Sequence, residues 1–338
     1  MERKKRFVVV AFVVIFVLSG FVEVMAQQPV DLKITTVQLK QQQMGVGIDR
    51  LAKTIQERLK DRVRVRTYPA AQLYGGQEEI QAVIKGEIQM AFVIGSTLEL
   101  LDPSQELLKL PFLFPNIDVT YKCLEGPVGK KLFSKIDEKG VEILGMVSSG
   151  DVAISNNRRL IKNTDDCKGL KMRSFGRMGA ATLKAMGAMA IVTPSEETYT
   201  ALQQGVIDGL TTPANVFLAR KYFDVQKFVT NGGMLNATFA FILGNKEWWQ
   251  KLPADVRSGL SDCLQRTVKE MRDDIEVENK KIFEQIAGKG VQVYALTAED
   301  QVTWKKALQP VYTEFTPIIG TDLVKATQQE VERLSKTK

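Results

Sequence analysis

The amino-acid sequence predicts an α/β protein made of two lobes of similar construction. A helix pattern, a glycine and a strand pattern follow one another in residues 75–93, and the same order recurs in residues 193–213. Strand and helix patterns also alternate in the remaining sequence, as they do in parallel β-α-β units. Residues 253–286 carry one continuous apolar stripe. That stripe predicts a helix of roughly 34 residues, about 50 Å long, which both lobes could share.

The first copy of this helix–glycine–strand unit begins with an acidic turn. Glu78 and Glu79 lie in the first turn of the predicted helix, where carboxylates complement the helix dipole. Gly86 ends the helix, because glycine readily adopts the left-handed conformation of a helix terminus. The strand pattern then continues through residues 88–92.

The second copy begins with a capping box formed by Thr193 and Glu196. Gly205 ends this helix, and the next strand is predicted to open at Val206. Two such units about 120 residues apart indicate two lobes built alike, although a pattern this short can also arise by chance.

Further elements follow from apolar periodicity. The segment "RVRVR" at residues 62–66 alternates arginine with valine, which predicts a half-buried strand with a basic outer face. The long helix could alternatively be two helices broken near Ser261. Other strands are predicted at residues 32–38, 141–147, 151–156 and 238–244, and another helix at residues 47–59.

The N-terminal residues have the composition of a secretory signal. A basic head is followed by an apolar run at residues 7–18 and by a small-residue exit at Ala26. We therefore expect residues 1–26 to be a cleaved signal peptide, with an uncleaved anchor as the alternative. The chain carries a formal net charge of +7, but its basic and acidic residues are interleaved, so nucleic-acid binding is not expected.

The chain contains no histidine, which removes the Ser-His-Asp and Cys-His forms of catalysis and most zinc chemistry. Its three cysteines, Cys123, Cys167 and Cys263, are far apart and show no CxxC spacing. One disulfide could form, but no metal site and no cofactor are indicated. The sequence therefore favours a binding protein over an enzyme.

The segment "GLKMRSFG" at residues 169–176 raises a question about its arginine. Strand alternation places Leu170 and Met172 on one face and Lys171, Arg173 and Phe175 on the other. Arg173 could lie on a solvated surface or pair with a nearby carboxylate, or its guanidinium could receive an anionic ligand beside the aromatic ring.

Several motifs together resemble one family. They are "PAAQLYGGQEEIQAVIKGEIQMAF", "LPFLFP" at residues 110–115, "CKGLKMR" at residues 167–173 and "EETYTALQQGVIDGLTTP" at residues 196–213. Their order and spacing are similar to those of DctP-type solute-binding proteins of TRAP (tripartite ATP-independent periplasmic) transporters. The resemblance implies an α/β, two-lobe periplasmic binding protein fold, with discontinuous lobes and a long helix spanning both.

The resemblance also implies a site and partners. Arg173 occupies the position at which the family's arginine binds the ligand carboxylate in a bidentate salt bridge. The implied partners are a small organic acid and the two integral membrane subunits of the transporter, with no nucleic acid. Further candidate ligand-binding residues are Phe175, Thr212 and Asn215 in the second lobe, and Gln38, Gln72, Tyr74 and Glu78 in the first.

Departures from the family pattern bear on the substrate. Sialic-acid-binding members carry a second arginine whose gap-free position here is Ala153, and Thr211 and Thr212 stand where larger polar residues are common. A monocarboxylate, such as a sugar acid, hydroxy acid or aromatic acid, is therefore expected, with a C4-dicarboxylate as the alternative. Arg158, Arg159 and Arg177 are the other cations that could reach the ligand.

The expected organisation is a first lobe from residues 27–150 and 238–280 and a second from residues 151–237 and 281–338. We expect a periplasmic monomer that acts as a transport receptor. The alternatives are the ligand-binding subunit of an extracytoplasmic sensor and an exported enzyme, for which the sequence offers no clear nucleophile and base.

Overall fold

The structure is a computed structural model, and it describes residues 28–194 and 197–336. The predicted signal peptide and Glu196 of the predicted capping box lie outside these residues. The strands are β1 (Val30–Thr35), β2 (Val63–Tyr68), β3 (Met90–Ile94), β4 (Val141–Ser148), β5 (Val152–Asn156), β6 (Lys171–Ser174), β7 (Met189–Val192), β8 (Gly209–Pro213), β9 (Phe228–Asn231), β10 (Phe239–Asn245) and β11 (Gln292–Ala295).

Helices connect and cover these strands. They are α1 (Gln43–Leu59), α2 (Gly76–Ile84), α3 (Ile117–Glu125), α4 (Pro127–Glu138), α5 (Gly176–Ala185), α6 (Thr198–Gln203), α7 (Ala214–Ala219), α8 (Lys246–Lys251), α9 (Ala254–Ala287), α10 (Ala298–Ala307), α11 (Gln309–Ile319) and α12 (Thr321–Lys336). A 3-10 helix at Pro103–Lys109 follows the loop after β3. Within the described ranges, no helix is long and apolar enough to cross a membrane.

The strands form two sheets with the same topology. The first has the order β2-β1-β3-β10-β4, and the second has the order β7-β6-β8-β5-β9 with β11 added at its edge. In each sheet three neighbouring strands are parallel, and the next strand, β10 or β5, runs antiparallel to both of its neighbours. The prediction of two lobes built alike is confirmed.

The strand register shows which residues occupy equivalent positions in the two sheets. Thr35 of β1 lies opposite Ala91 of β3, and Arg173 of β6 lies opposite Leu210 of β8. The number of positions that separates Ala91 from Leu210 also separates Gly86 from Gly205. Thr35 is therefore the first-lobe counterpart of Arg173.

Both helix–glycine–strand units close with the same hydrogen bonds. Gly86 and Gly205 have φ angles of 74° and 72°, a region that glycine adopts without a side-chain clash. After Gly86, the next two backbone N–H groups donate to the carbonyl of Ala82, and after Gly205 the next two donate to the carbonyl of Ala201. The strand consequently begins later than predicted, at Gly209 instead of Val206.

Helix α9 is one continuous helix of 34 residues, so the alternative of a break near Ser261 is wrong. Its first part, from Val256 to Ile275, packs in one core against the first sheet. Its last part, with Ile282 and Ile286, packs in a second core against the second sheet. The predicted helix that spans both lobes is confirmed.

A third core lies on the other side of both sheets. Helix α12 packs there against α3 and α4, and α11 packs against the 3-10 helix and α5. The C-terminal helices thus contact elements of residues 27–150, although the predicted boundary assigns residues 281–338 to the second lobe. The domain boundaries stay a prediction.

Three local predictions concern the "RVRVR" strand, Glu79 and the cysteines. Val63 of "RVRVR" is buried while Arg64 and Arg66 are exposed and lie near Asp31, as predicted for a strand with a basic outer face. Glu79 lies in the first turn of α2, as predicted, but it is only 1% exposed, which the sequence did not indicate. The three cysteines are free and buried, so no disulfide forms.

Candidate functional site

Arg173 lies near the carboxyl end of β6, between the edge strand β7 and β8 of the second sheet, and is buried. Its neighbour Met172 enters the core on one face of β6, while Arg173 lies on the opposite face between Leu210 and Ile191. Its side chain is 7% exposed, and its Nε donates a hydrogen bond of 2.9 Å to the carbonyl of Thr193. The interpretation of Arg173 as a solvated surface residue is therefore wrong.

The surroundings of Arg173 are formed by the carboxyl ends of three parallel strands. β6, β7 and β8 end together, because neighbouring parallel strands run in the same direction. The residues that follow them include Phe175, Thr193 and Asn215. In open α/β sheets, ligands bind in the crevice outside these carboxyl ends.

Two second-lobe candidates supply oxygens at this edge. Asn215 lies in the first turn of α7, and its Oδ1 is buried without a hydrogen-bond partner among the described residues. Thr212 is 8% exposed and lies opposite Ala153 on the face of the sheet that carries Arg173. A buried acceptor without a partner is costly, so Asn215 is suited to receive a donor group of a ligand.

Phe175 lies close to two cations. Its ring centroid lies 5.3 Å from Cζ of Arg173 and 5.9 Å from Nζ of Lys109, and its side chain is 43% exposed. Lys109 comes from the 3-10 helix after β3, so this contact joins an element of residues 27–150 to one of residues 151–237. The ring thereby shields one side of the Arg173 guanidinium from water.

A pair of carboxyl groups accompanies Lys109. Its Nζ contacts Glu99 and lies 4.0 Å from Glu106. Burial raises the pKa of Glu99, and burial together with the charge of Glu99 raises the pKa of Glu106 to about 7. The positive charge of Lys109 is therefore partly compensated within the protein.

The first-lobe candidates make contacts within their own lobe. Gln38 accepts a hydrogen bond of 2.7 Å from the backbone of Met44, and Glu78 accepts one of 3.0 Å from the backbone of Gly75. Tyr74 donates to Glu87 over 3.0 Å, and Gln72 is exposed. Glu78 thus caps α2. That these four residues touch ligand stays a prediction.

The additional arginines have protein partners. Arg158 donates to Asp208 over 2.8 Å, and Arg159 donates to the carbonyls of Asp166 and Lys168. Arg177 is exposed, with its Cζ 5.9 Å from the ring centroid of Phe315. Ala153, the gap-free position of a second arginine, is fully buried in the second-lobe core.

Sequence reasoning missed Ser96, which the repeat identifies. The number of positions that separates Gly86 from Gly205 also separates Ser96 from Asn215. Like Asn215, Ser96 follows the strand that is third in the order of its sheet, and it has a buried side-chain oxygen without a described partner. The sequence separation between the two glycines, counted back from Asn215, would have identified Ser96.

A cavity of about 220 Å³ lies between the two halves of the molecule. One wall is Leu39, Gln41 and Gln42, which follow β1, and the other consists of residues from α6, α7 and the turn after it. None of the eight candidate ligand-binding residues lines this cavity. In residues 28–194 and 197–336, no cluster of side chains is suited to hold a metal ion.

A family model for bacterial extracellular solute-binding proteins, family 7, also called DctP, matches residues 35–317. The chain belongs to this family. The C4-dicarboxylate-binding periplasmic protein DctP of Rhodobacter capsulatus is 31% identical over 309 residues, which cover 89% of this chain and 91% of the relative.

Solved structures of the family share the architecture. A TRAP periplasmic solute-binding protein from Sulfurospirillum deleyianum, with bound succinate, is 30% identical with a TM-score of 0.79 and covers 88% of this chain and 98% of its own. A sugar-acid-binding protein from Advenella mimigardefordensis in complex with galactonate is 24% identical with a TM-score of 0.82, over 90% and 99% of the chains. The second likeness shows the fold alone.

These findings confirm the resemblance and the two-lobe fold. The protein is a DctP-family solute-binding receptor of a TRAP transporter and not an enzyme. Receptors of this family bind small organic acids and work with membrane components.

Proposed function

We propose that this receptor captures an organic acid between its lobes, that Arg173 binds the carboxylate, and that the closed complex delivers the acid to the TRAP membrane subunits. The observation that supports this most strongly is the burial of Arg173 at the carboxyl ends of three parallel strands. A guanidinium matches a carboxylate in two parallel hydrogen bonds, and low local polarity strengthens the attraction.

The acid that we propose is a monocarboxylate with a neutral polar remainder, such as a hydroxy acid or sugar acid. Arg158 and Arg159 are hydrogen-bonded elsewhere, and Ala153 contributes no charge. Thr212 and Asn215 offer neutral groups beside Arg173. A second carboxylate buried without a cation would cost several kcal/mol, more than a hydroxyl contact returns.

A C4-dicarboxylate is the second candidate. It is favoured by the names of two relatives, the R. capsulatus protein and the S. deleyianum protein with bound succinate. In this chain, Nζ of Lys109 lies 5.9 Å from the ring centroid of Phe175, and Lys109 could bind a second carboxylate in place of its contacts with Glu99 and Glu106.

The proposal includes export to the periplasm through cleavage after residue 26 and function as a monomer. An extracytoplasmic sensor with this fold would bind the same ligand, so the discriminating observation is uptake. Deleting the receptor should abolish transport of the bound acid by the membrane subunits, whereas a sensor deletion should alter transcription and leave existing transport intact.

Binding is tested by calorimetry and by thermal shift with a panel of acids. The panel pairs monocarboxylates with malate, succinate and fumarate, so that it separates the two candidate classes. With the best acid, we expect Arg173→Ala to weaken binding by at least about a hundredfold, because a buried carboxylate would lose its charged partner. Arg173→Lys should recover little, since an ammonium cannot form the parallel two-bond contact.

Arg64→Ala is the matched control, because Arg64 is exposed on β2 and contacts Asp31 at the surface. It should bind like the unmodified protein. Near-normal affinity in either Arg173 variant would contradict the assigned role, and a response to succinate without any response to a monoacid would contradict the proposed substrate class.

A further inference from the structure

Besides the C-terminal segment that leads from β11 to α12, three stretches of chain connect the lobes. The first joins β4 to β5 through residues 149–151, and the second joins β9 to β10 through residues 232–238. The third is α9, which leaves the first-lobe core after Ile275 and enters the second-lobe core at Ile282. The crossing point of the helix therefore lies within one or two turns around residue 279.

The first two connections are hydrogen-bonded to each other on both sides of Gly150. The backbone N–H of Ser149 donates to the carbonyl of Thr238 over 2.8 Å. On the other side, Gly232 donates to the carbonyl of Val152 over 2.8 Å, and Val152 donates to Gly233 over 3.1 Å. The two segments are thus fastened together on each side of Gly150 and Asp151, where a change of interlobe angle must be accommodated.

Asn279 of α9 contacts this point directly. Its Oδ1 accepts a hydrogen bond of 3.3 Å from the backbone N–H of Asp151. Gly150 has a φ angle of 87°, and a Cβ atom placed there would lie 2.6 Å from the same Oδ1. The carboxamide therefore occupies the space beside Gly150 that a side chain would fill, and it links α9 to the first connection, which is itself hydrogen-bonded to the second.

We propose that Asn279 is the positioning residue of the interlobe hinge. Its carboxamide holds the turn at Gly150 to the helix that both lobes share, and so limits the interlobe angles that the ligand-free protein samples. This inference rests on the proposed function, because a restricted hinge lowers the entropy that ligand-induced closure must remove. Asn279 acts through Gly150 and Asp151 and has no contact with Arg173 or Asn215 among its described bonds.

The test measures the interlobe distance without ligand. Spin labels are attached by Glu57→Cys on α1 and Lys184→Cys on α5, two exposed positions in different lobes, while the native cysteines are buried. Pulsed electron resonance then gives the distance distribution. We expect Asn279→Ala to broaden it, and to weaken acid binding about five- to tenfold, which corresponds to one hydrogen bond of ordinary strength.

Lys280→Ala is the matched control. Lys280 is the exposed neighbour of Asn279 on α9, and it pairs with Glu276 at the surface. The substitution Lys280→Ala should leave the distance distribution and the affinity unchanged.

A second variant, Gly150→Ala, tests the contact from the other side. It should change the distance distribution more when Asn279 is present than when it is combined with Asn279→Ala, because removing the carboxamide makes room for the methyl group.

The outcomes separate the two proposals. A distance distribution for Asn279→Ala that superimposes on that of the unmodified protein overturns the hinge role, whatever the ligand results. If the unmodified protein binds no acid on the panel but the variant still broadens the ligand-free distribution, the proposed function fails and the hinge role stands.

Discussion

Replacing Glu79 by glutamine should remove the pH dependence that this residue gives to stability. Glu79 lies on α2 and is 1% exposed, and its Oε1 accepts a hydrogen bond of 3.4 Å from the hydroxyl of Thr35. Its Oε2 is buried without a described partner. Burial raises the pKa of this carboxyl to about 8, and the hydrogen bond from Thr35 opposes only part of that change.

The direction follows from proton linkage. Below the ordinary pKa of 4.5, the carboxyl is neutral in both the folded and the unfolded chain. Between pH 4.5 and about 8, the unfolded chain ionises while the folded protein keeps its proton, so the free energy of unfolding falls as pH rises. Because a tenfold change in proton affinity is worth about 1.4 kcal/mol, the total loss is roughly 5 kcal/mol at most.

Glu79→Gln removes this loss and introduces a smaller one. Its amide N–H groups would be buried where Oε2 now has no partner, at a cost of about 1–3 kcal/mol at every pH. We therefore expect the variant to be less stable than the natural protein at pH 4 and more stable at pH 8. Urea unfolding across this range, followed by circular dichroism, measures both free energies.

The matched variant is Glu78→Gln, which removes a carboxylate from the neighbouring exposed position of the same helix. It reports the effect of lost charge at this helix terminus without removing a buried carboxyl. Parallel stability curves for Glu79→Gln and the natural protein from pH 4 to pH 8 would show that the buried carboxyl does not control this dependence.

Two further stability predictions follow from glycine and arginine contacts. Gly205→Ala should lower the free energy of unfolding by about 1–2 kcal/mol; the φ angle of 72° is the only cause, because nothing lies within 4 Å of the added Cβ. Gly179 is equally open but lies within α5, so Gly179→Ala should raise the free energy of unfolding by up to about 1 kcal/mol. Arg272→Lys should cost about 1–2 kcal/mol, since the guanidinium stacks 3.8 Å from the ring centroid of Tyr121 and donates twice to the carbonyl of Met146. The control Arg266→Lys, at an exposed residue that pairs with Glu270, should change stability by less than about 0.5 kcal/mol. Urea unfolding measures the stability of all four variants. Equal effects of Gly205→Ala and Gly179→Ala would refute the argument from the φ angle, and equal effects of the two arginine variants would refute the argument from the guanidinium contacts.

Periodicity in the sequence predicted the elements that have one clearly apolar face. The 34 residues of α9 could be predicted because its apolar positions repeat without interruption from Val256 to Ile286. The face of β6 that holds Arg173 was predictable because a strand alternates with period two. The sequence could not show that α12 returns to α3 and α4, because periodicity identifies an apolar face but not the surface that covers it.

The candidate site was predictable only in part, for a related reason. Arg173 and Asn215 follow from the family resemblance, and their burial agrees with a ligand role. Glu79 could not be distinguished from Glu78 in the sequence, although one is buried and the other exposed, because the two positions differ only in their direction on the helix. The hinge contact of Asn279 joins residues 128 positions apart, and no local pattern encodes such a pairing.

The two lobes share a framework but place charge differently at equivalent positions. Arg173 in the second lobe corresponds to Thr35 in the first, where the hydroxyl bonds to the carbonyl of Tyr68 and to Glu79. With a pKa of about 8, Glu79 is mostly protonated at neutral pH, so the first-lobe position is largely neutral while the second-lobe position is cationic. If both positions carried a cation, closure would bring like charges together and the empty protein would resist it. Under the proposed function, an acid would bind Arg173 in the second lobe first, and the first lobe, with a neutral residue at the equivalent position, would then close over the complex.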